Sequence, residues 1–298
     1  MTGSLHFVGN ATTVLRLGPF TLLTDPNFLH RGQWTHIGQG VVSRRLTDPA
    51  IEIADLPELD AVVLSHLHGD HFDRVASREL ARDLPVFTTP HAAKRLARRG
   101  FTEAAPLRTW ETVALTRGAA KLTVTSLPGR HALGPLGRLL PPVMGTMIEY
   151  REAAGVLPLR VYLSGDTLVH PALRQIRERF DDIDLAVLHL GGTKVLGVLL
   201  TMDGRQGMDL MEILTPRTTV PVHYEEYGVM KSPLSDFTAE ISRRPAGLDV
   251  QVVARGDTLR FGGVTAAREE TAVTEPEHDH VERPGTGLDG GGRYAEDG

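Results

Sequence analysis

Residues 64–73 read LSHLHGDHFD, which sets His66, His68, Asp70, His71 and Asp73 within ten residues. Neighbouring imidazoles compete for protons and repel once charged, so crowding them is costly unless a cation binds among them. A divalent metal gives neutral imidazoles and ionised carboxylates a reason to converge. Zinc favours such N/O donors and keeps an open position at catalytic centres. The spacing splits into two sets, with His66 and His68 serving one metal and Asp70 and His71 a second. A solvated polar turn is the alternative, but a turn needs no partners elsewhere, and partners are present. TSLPGRH ends at His131, VYLSGD ends at Asp166 and TTVPVHY carries His223, each after an apolar run. Alone, His131 or His223 reads equally well as an interior histidine. Repeating one strand-then-polar pattern, the three read as ligands.

Such a site needs strands that deliver each ligand to one edge. The opening SLHFVGNATTVLRLGPFTLLTDP predicts two or three short strands with a turn at Gly18-Pro19, and DAVVLSH predicts a buried strand. A helix of mixed charge is expected next, then a helix from about His91 to Gly100. KLTVTSLPGRH, GTMIEYR and LRVYLSGD alternate like strands, and IDLAVLHLGG reads as another buried strand. PALRQIRERF, DGRQGMDLMEIL and SPLSDFTAEISRR suit helices, the last capped by Ser232 or Ser235. VQVVARGDTLRF closes with strands. Runs of strands with interspersed helices predict an α/β layered domain carrying a mixed sheet.

The chain has 298 residues and is 41% apolar, enough for a substantial core. It has no cysteine, which excludes disulfides, thiolate metal sites and cysteine nucleophiles. No signal peptide and no run of about 18 apolar residues is found, so the expectation is a soluble cytoplasmic protein without a membrane span. Of the net charge of −5, the stretch from Arg268 onward carries nine acidic residues against three basic ones. The rest is nearly neutral and makes no case for nucleic-acid binding. Residues 1–265 are read as one domain, and 266–298 as an acidic, glycine-rich disordered tail. GTGLDG (285–290) matches a dinucleotide-binding pattern but follows no strand and opens no helix. Lys94, Arg95, Arg98 and Arg99 are read as a solvated helix face rather than an anion-binding patch.

The ordered set His-x-His-x-Asp-His, a later His, Gly-Asp and a final His resembles the metallo-β-lactamase-fold hydrolases over most of residues 4–263. The resemblance implies a four-layer αββα sandwich, two mixed β-sheets flanked by helices, with two divalent metals at one edge. Carried over, His66, His68 and His131 hold the first metal, Asp70, His71 and His223 the second, and Asp166 bridges them. Asp70, His66, His68 and His71 then form the catalytic motif, and Asp73 orients a ligand. VGNATTVLRLGPFTLLTDPNF is similar to the start of the branch holding ascorbate-phosphate lactonases and N-acyl-phosphatidylethanolamine phospholipases D. Asn10 and His189 depart from that branch, which commonly has histidine and proline there.

The implied activity is metal-dependent hydrolysis. Two ions, zinc by preference with manganese or iron as alternatives, lower the pKa of a shared water to give a bridging hydroxide and polarise the oxygen under attack. The expected substrate is a small-molecule phosphodiester or related ester, with a lactone as the alternative. A di-iron oxidoreductase is disfavoured because His68 stands where such proteins usually carry glutamate, and a non-catalytic metal-binding module is disfavoured by the complete ligand set. Asp25, His189, Lys194, Arg130 and Trp34 are further candidates for supporting the ligands or meeting substrate. His30 and His36 share the long loop with Trp34. The apolar loop 132–145 reads either as core packing or as a lip for an apolar substrate group.

Overall fold

The computed structural model describes residues 2–38, 40–132, 140–195, 197–244 and 247–262. In chain order the strands begin with β1 (Thr2–Gly9), β2 (Thr12–Leu17), β3 (Phe20–Thr24), β4 (Trp34–His36), β5 (Val42–Arg44) and β6 (Ala61–Leu64). They continue with β7 (Val86–Thr88), β8 (Ala104–Pro106), β9 (Thr112–Arg117), β10 (Ala120–Pro128), β11 (Met144–Arg151) and β12 (Leu159–Leu163). The last are β13 (Leu185–His189), β14 (Lys194–Val195), β15 (Val198–Leu199), β16 (Thr218–Val222) and β17 (Thr258–Gly262). The helices are α1 (Arg74–Glu79), α2 (Pro90–Ala97), α3 (Arg174–Arg179), α4 (Gly204–Leu214) and α5 (Leu234–Arg243).

Two mixed sheets form, with strand orders β17-β1-β2-β3-β6-β7-β8 and β16-β13-β12-β11-β10-β9. β3, β6, β7 and β8 run parallel in the first, and β12, β13 and β16 run parallel in the second. Side chains alternate across a strand, and that alternation builds the layers. On β6, Ala61 and Val63 join the cluster between the sheets, whereas Val62 and Leu64 pack outward with Ala76, Ala92 and Leu96 of α1 and α2. On β13, Leu185 and Val187 face inward, while Ala186 and Leu188 meet Ile176, Met208, Met211 and Phe237 of α3, α4 and α5. Three apolar clusters therefore separate four layers, which is the αββα sandwich.

Several local expectations change. Within PALRQIRERF, the proline opens a 3-10 turn at Pro171–Leu173 and the α-helix proper starts at Arg174. Neither Ser232 nor Ser235 caps α5. Its N-cap is Pro233, while the Ser232 hydroxyl donates to Asp236 and accepts from the Gly204 N–H. VQVVARGDTLRF yields only β17, preceded by a single bridge between Val250 and Thr219. The long loop after Asp25 contains the β4–β5 hairpin. Residues 263–298 and 133–139 lie outside the described residues, and with them the tail and half of the lip expected within 132–145.

Candidate metal centre

The predicted ligands meet where strands of both sheets end. β6 delivers His66, His68, Asp70 and His71, and β10 leads to His131. β12 leads to Asp166, and β16 to His223. Open α/β sheets place ligands beyond the carboxyl ends of their parallel strands, and β3, β6, β12, β13 and β16 obey that rule here. Gly165 turns the chain at a φ of +59°, where a Cβ would lie 2.6 Å from the Met144 carbonyl oxygen. A side chain at 165 would displace the neighbouring Asp166.

Two donor groups match the expectation, His66, His68 and His131 in one and Asp70, His71, Asp166 and His223 in the other, and Asp25, His71 and His189 make a third that shares His71. Within each group the candidate ligand atoms lie within 4.8 Å of one another. His66 Nε2 is 2.9 Å from His68 Nδ1. Asp166 lies between the groups, with Oδ2 3.8 Å from His66 Nε2 and 3.1 Å from His71 Nε2. Its Oδ1 is 3.5 Å from His223 Nδ1, and His223 Nε2 is 3.5 Å from Asp70 Oδ2.

The electrostatics fit a cation. Burial, then the neighbouring imidazoles, holds His66 well below the ordinary histidine pKa and takes His131 to about 3, so each ring is neutral and keeps one nitrogen lone pair for a metal. Burial opposes charge on His71, but Asp166, Asp25 and Asp70 outweigh it and raise its pKa well above normal. Burial would raise Asp166, yet His223 and His71 hold it well below the usual carboxylate range. Moreover, His131 Nε2, Asp70 Oδ1 and Asp166 Oδ1 are buried with no hydrogen-bond partner among the described residues. Buried polar atoms are rarely left unpaired. Divalent ions would satisfy them, and the donor set fits zinc or a similar metal.

The surrounding contacts hold this arrangement. Asp25, buried at the end of β3 with a φ of +36°, accepts from the Ser65 N–H at 2.7 Å and from its hydroxyl at 2.9 and 3.0 Å. It also contacts His71 Nδ1 at 3.1 Å and His189 Nε2 at 3.2 Å. Burial disfavours its charge, but His71 and His189 prevail and bring its pKa to about 2. His189 is buried rather than open to solvent, and its Nδ1 lies 3.2 Å from the Ser164 hydroxyl. Asn10, at a φ of +54°, donates from Nδ2 to the Asp70 carbonyl at 2.6 Å, and its own carbonyl accepts from the His223 N–H at 2.8 Å. One residue thus ties the two segments that carry the candidate ligands Asp70 and His223. Asn10, Asp25 and His223 all hold a left-handed backbone, uncommon for residues with a Cβ and concentrated at functional sites.

Other candidates are placed differently. Asp73 touches no ligand side chain. It caps α1 through the Ala76 N–H and accepts from Phe28 N–H, Leu29 N–H and Asn27 Nδ2, so its part is to fix the loop beneath the motif. Lys194 is exposed on the β14–β15 hairpin and Arg130 is exposed beside His131. His30 faces Asp48 and Glu52, and the His36 ring lies against the Gly38 and Gly40 amides, 3.3 Å from Nδ1 and 3.0 Å from Nε2. Asn10 and Asp25 have motif-neighbourhood signals in the sequence, but the Asp25–His189 contact spans 164 positions and has none.

The family profile of the β-lactamase superfamily domain matches residues 21–224. The chain belongs to that family. It is 24% identical over 259 residues to a UPF0173 metal-dependent hydrolase of Pyrobaculum islandicum, covering 86% of this chain and 99% of that one. The isothiocyanate hydrolase from Delia radicum gut bacteria superposes with a TM-score of 0.72 at 22% identity, covering 87% of this chain and all (100%) of that one. CmlA, a diiron β-hydroxylase from Streptomyces venezuelae, superposes with a TM-score of 0.61 at 19% identity over 87% of this chain and 54% of its own. At such identities the two structures share the fold. Family, relatives and donor set make this chain a metal-dependent hydrolase of the metallo-β-lactamase fold. No helix among the described residues is long and apolar enough to cross a membrane.

Proposed function

We propose that the chain is a dinuclear metal-dependent hydrolase acting on a phosphodiester or a related phosphorylated ester, with zinc as the metal. The observation that carries the reading is the pair of donor groups, three histidines beside two histidines and two aspartates, with Asp166 between them. His66, His68 and His131 would hold one ion, and Asp70, His71 and His223 the other, Asp166 serving both. Bound there, the ions supply a water of lowered pKa and an electrophile for the phosphoryl or carbonyl oxygen under attack. The residues of the chain do the positioning. Burial keeps His66 and His131 neutral, Asp25 orients the His71 ring, and Asn10 fixes the spacing of Asp70 and His223.

The preference for a phosphorylated ester rests on the similarity of residues 8–28 to the phospholipase D and phosphorylated-lactone branch. The test compares bis-p-nitrophenyl phosphate, simple lactones and acyl esters on one metal-loaded preparation. An isothiocyanate belongs in the set because one structural relative carries that activity in its name. The phosphodiester should turn over fastest. Lactone turnover greater by tenfold or more, about 1.4 kcal/mol in barrier, would reverse the order.

A further inference from the structure

A groove of about 450 Å³ opens beside the metal centre, and its walls include Trp34, His68, Arg74, Ser77, Arg95 and Arg99. His68 ties the groove to the centre, since the same ring belongs to the first donor group. Arg74 comes from the start of α1, Arg95 from the last turn of α2 and Arg99 from the turn just after it. Arg74 donates one N–H to the Trp34 carbonyl at 2.8 Å. None of the three arginines forms an ion pair among the described residues, whereas Arg45, Arg117, Arg160, Arg217 and Arg244 all do.

The one carboxyl lining the groove, Asp73, faces three guanidiniums and forms no ion pair with them among the described residues. Asp73 Oδ1 accepts from the Ala76 N–H, and its Oδ2 accepts from Phe28 and Leu29. Two other surface grooves differ in this respect. One sets Asp55 beside Arg16 and Arg260, and the other sets Asp184 and Asp249 beside Arg217 and Arg260. Helix C-termini attract cations in any case. That explains Arg95 and Arg99 individually, but not their meeting with Arg74 from the N-terminal turn of another helix. Desolvation, then the charge of Arg95, lowers the Arg99 pKa although the residue is exposed, and an anion between the two would favour their charged forms. Arginine forks suit oxyanions, which they can bind through two parallel N–H donors. Trp34, 59% exposed, gives the groove an apolar face together with Leu67 and Phe72.

We propose that this groove binds an oxyanion of the substrate, a phosphate by preference, through Arg95, Arg99 and Arg74, with Trp34 against the apolar group attached to it. The proposal rests on the hydrolase reading in taking the anion to be part of the substrate. It names the substrate class as a phosphorylated small molecule with a planar or apolar portion. Arg95 and Arg99, expected from sequence to be a solvated face, become specificity residues.

The test is calorimetric titration of phenyl phosphate into the metal-loaded full chain and into its Arg95→Ala/Arg99→Ala variant, with phenol as the uncharged comparator. Phosphate that binds only at the metals affects both proteins alike and cancels. The double variant should bind phenyl phosphate at least tenfold more weakly, and phenol should show no difference between the two proteins. Arg95→Glu, on an exposed helix surface, should weaken binding at least as much and guards against a folding defect in the double variant. Phenyl phosphate affinity unchanged in both variants overturns the groove, even if phosphodiester turnover is found. Arginine-dependent binding without hydrolysis of any ester leaves the groove standing and removes the catalytic reading instead.

Discussion

Replacing Asp25 by asparagine tests how the second donor group is held. The carboxylate accepts from the Ser65 N–H and hydroxyl and faces His71 Nδ1 and His189 Nε2 at 3.1 and 3.2 Å. Asparagine keeps the size and tolerates the left-handed φ of +36°, so backbone strain does not confound the result. What changes is one oxygen, which becomes an NH₂ facing a serine or an imidazole that itself needs an acceptor. A lost hydrogen bond to a charged group costs about 1.5–3 kcal/mol. Loss of a group that orients a metal-ligating histidine typically weakens metal binding by about 10–100-fold, or about 1.4–2.8 kcal/mol, so the two scales agree. Zinc affinity measured by competition with a chromophoric chelator should therefore show one ion weakened by about 10–100-fold. An ion bound at the other donor group, His66, His68 and His131, should change little. If both ions bind Asp25→Asn as tightly as the wild type, the carboxylate does not position His71 and the argument from its contacts fails.

Three further outcomes follow from the structure. His170 is buried, with neither ring nitrogen hydrogen-bonded among the described residues, and burial followed by Arg130 lowers its pKa to about 4. Its neutral form is favoured in the fold, so stability is unaffected above about pH 6.5 and falls from there to about pH 4, by about 3 kcal/mol at most. Urea unfolding of His170→Phe across that range should show a shallower acid loss than wild type, and parallel curves would contradict the assignment. Arg45 is fully buried against Glu226 and Asn27, and Arg255 also reaches Glu226. Arg45→Ala should cost about 3 kcal/mol in chemical denaturation, the lower part of the range for breaking a buried pair, because Arg255 still partners the carboxylate. Zinc at about one hundred times its dissociation constant should stabilise the fold by about 2.7 kcal/mol, seen as a thermal midpoint that falls on chelation.

The sequence carries the ligands and conceals their support. His66 to His71 follow a four-residue apolar strand, and His131, Asp166 and His223 follow others, so strand-end chemistry is readable from local pattern alone. The αββα layering is likewise written in the alternation along β6 and β13, once a resemblance says that both faces of each sheet are covered. Asp25 and His189 are different. They meet only because β3 and β13 belong to separate sheets whose carboxyl ends converge, and no local rule encodes that. Asn10 stands out in the sequence only as a departure from the branch pattern, and its part emerges when its left-handed backbone brings its amide to Asp70 and its carbonyl to His223. Arg45 and Glu226 lie 181 positions apart, and their contact depends on the β5 segment crossing the one after His223. Asp73 has the composition of a ligand-orienting residue, but its position at the start of α1 makes it a helix cap. Helix α1 has only six residues, because the backbone is already extended at Leu80.

The central claim is that two ions sit in two distinct donor groups. Elemental analysis of the metal-replete chain, beside His131→Ala and His223→Ala, tests it most directly. The account predicts two ions per wild-type chain and close to one in each variant, with both variants retaining the wild-type far-UV circular dichroism. A single ion in the wild type, or two ions retained in both variants, would contradict it.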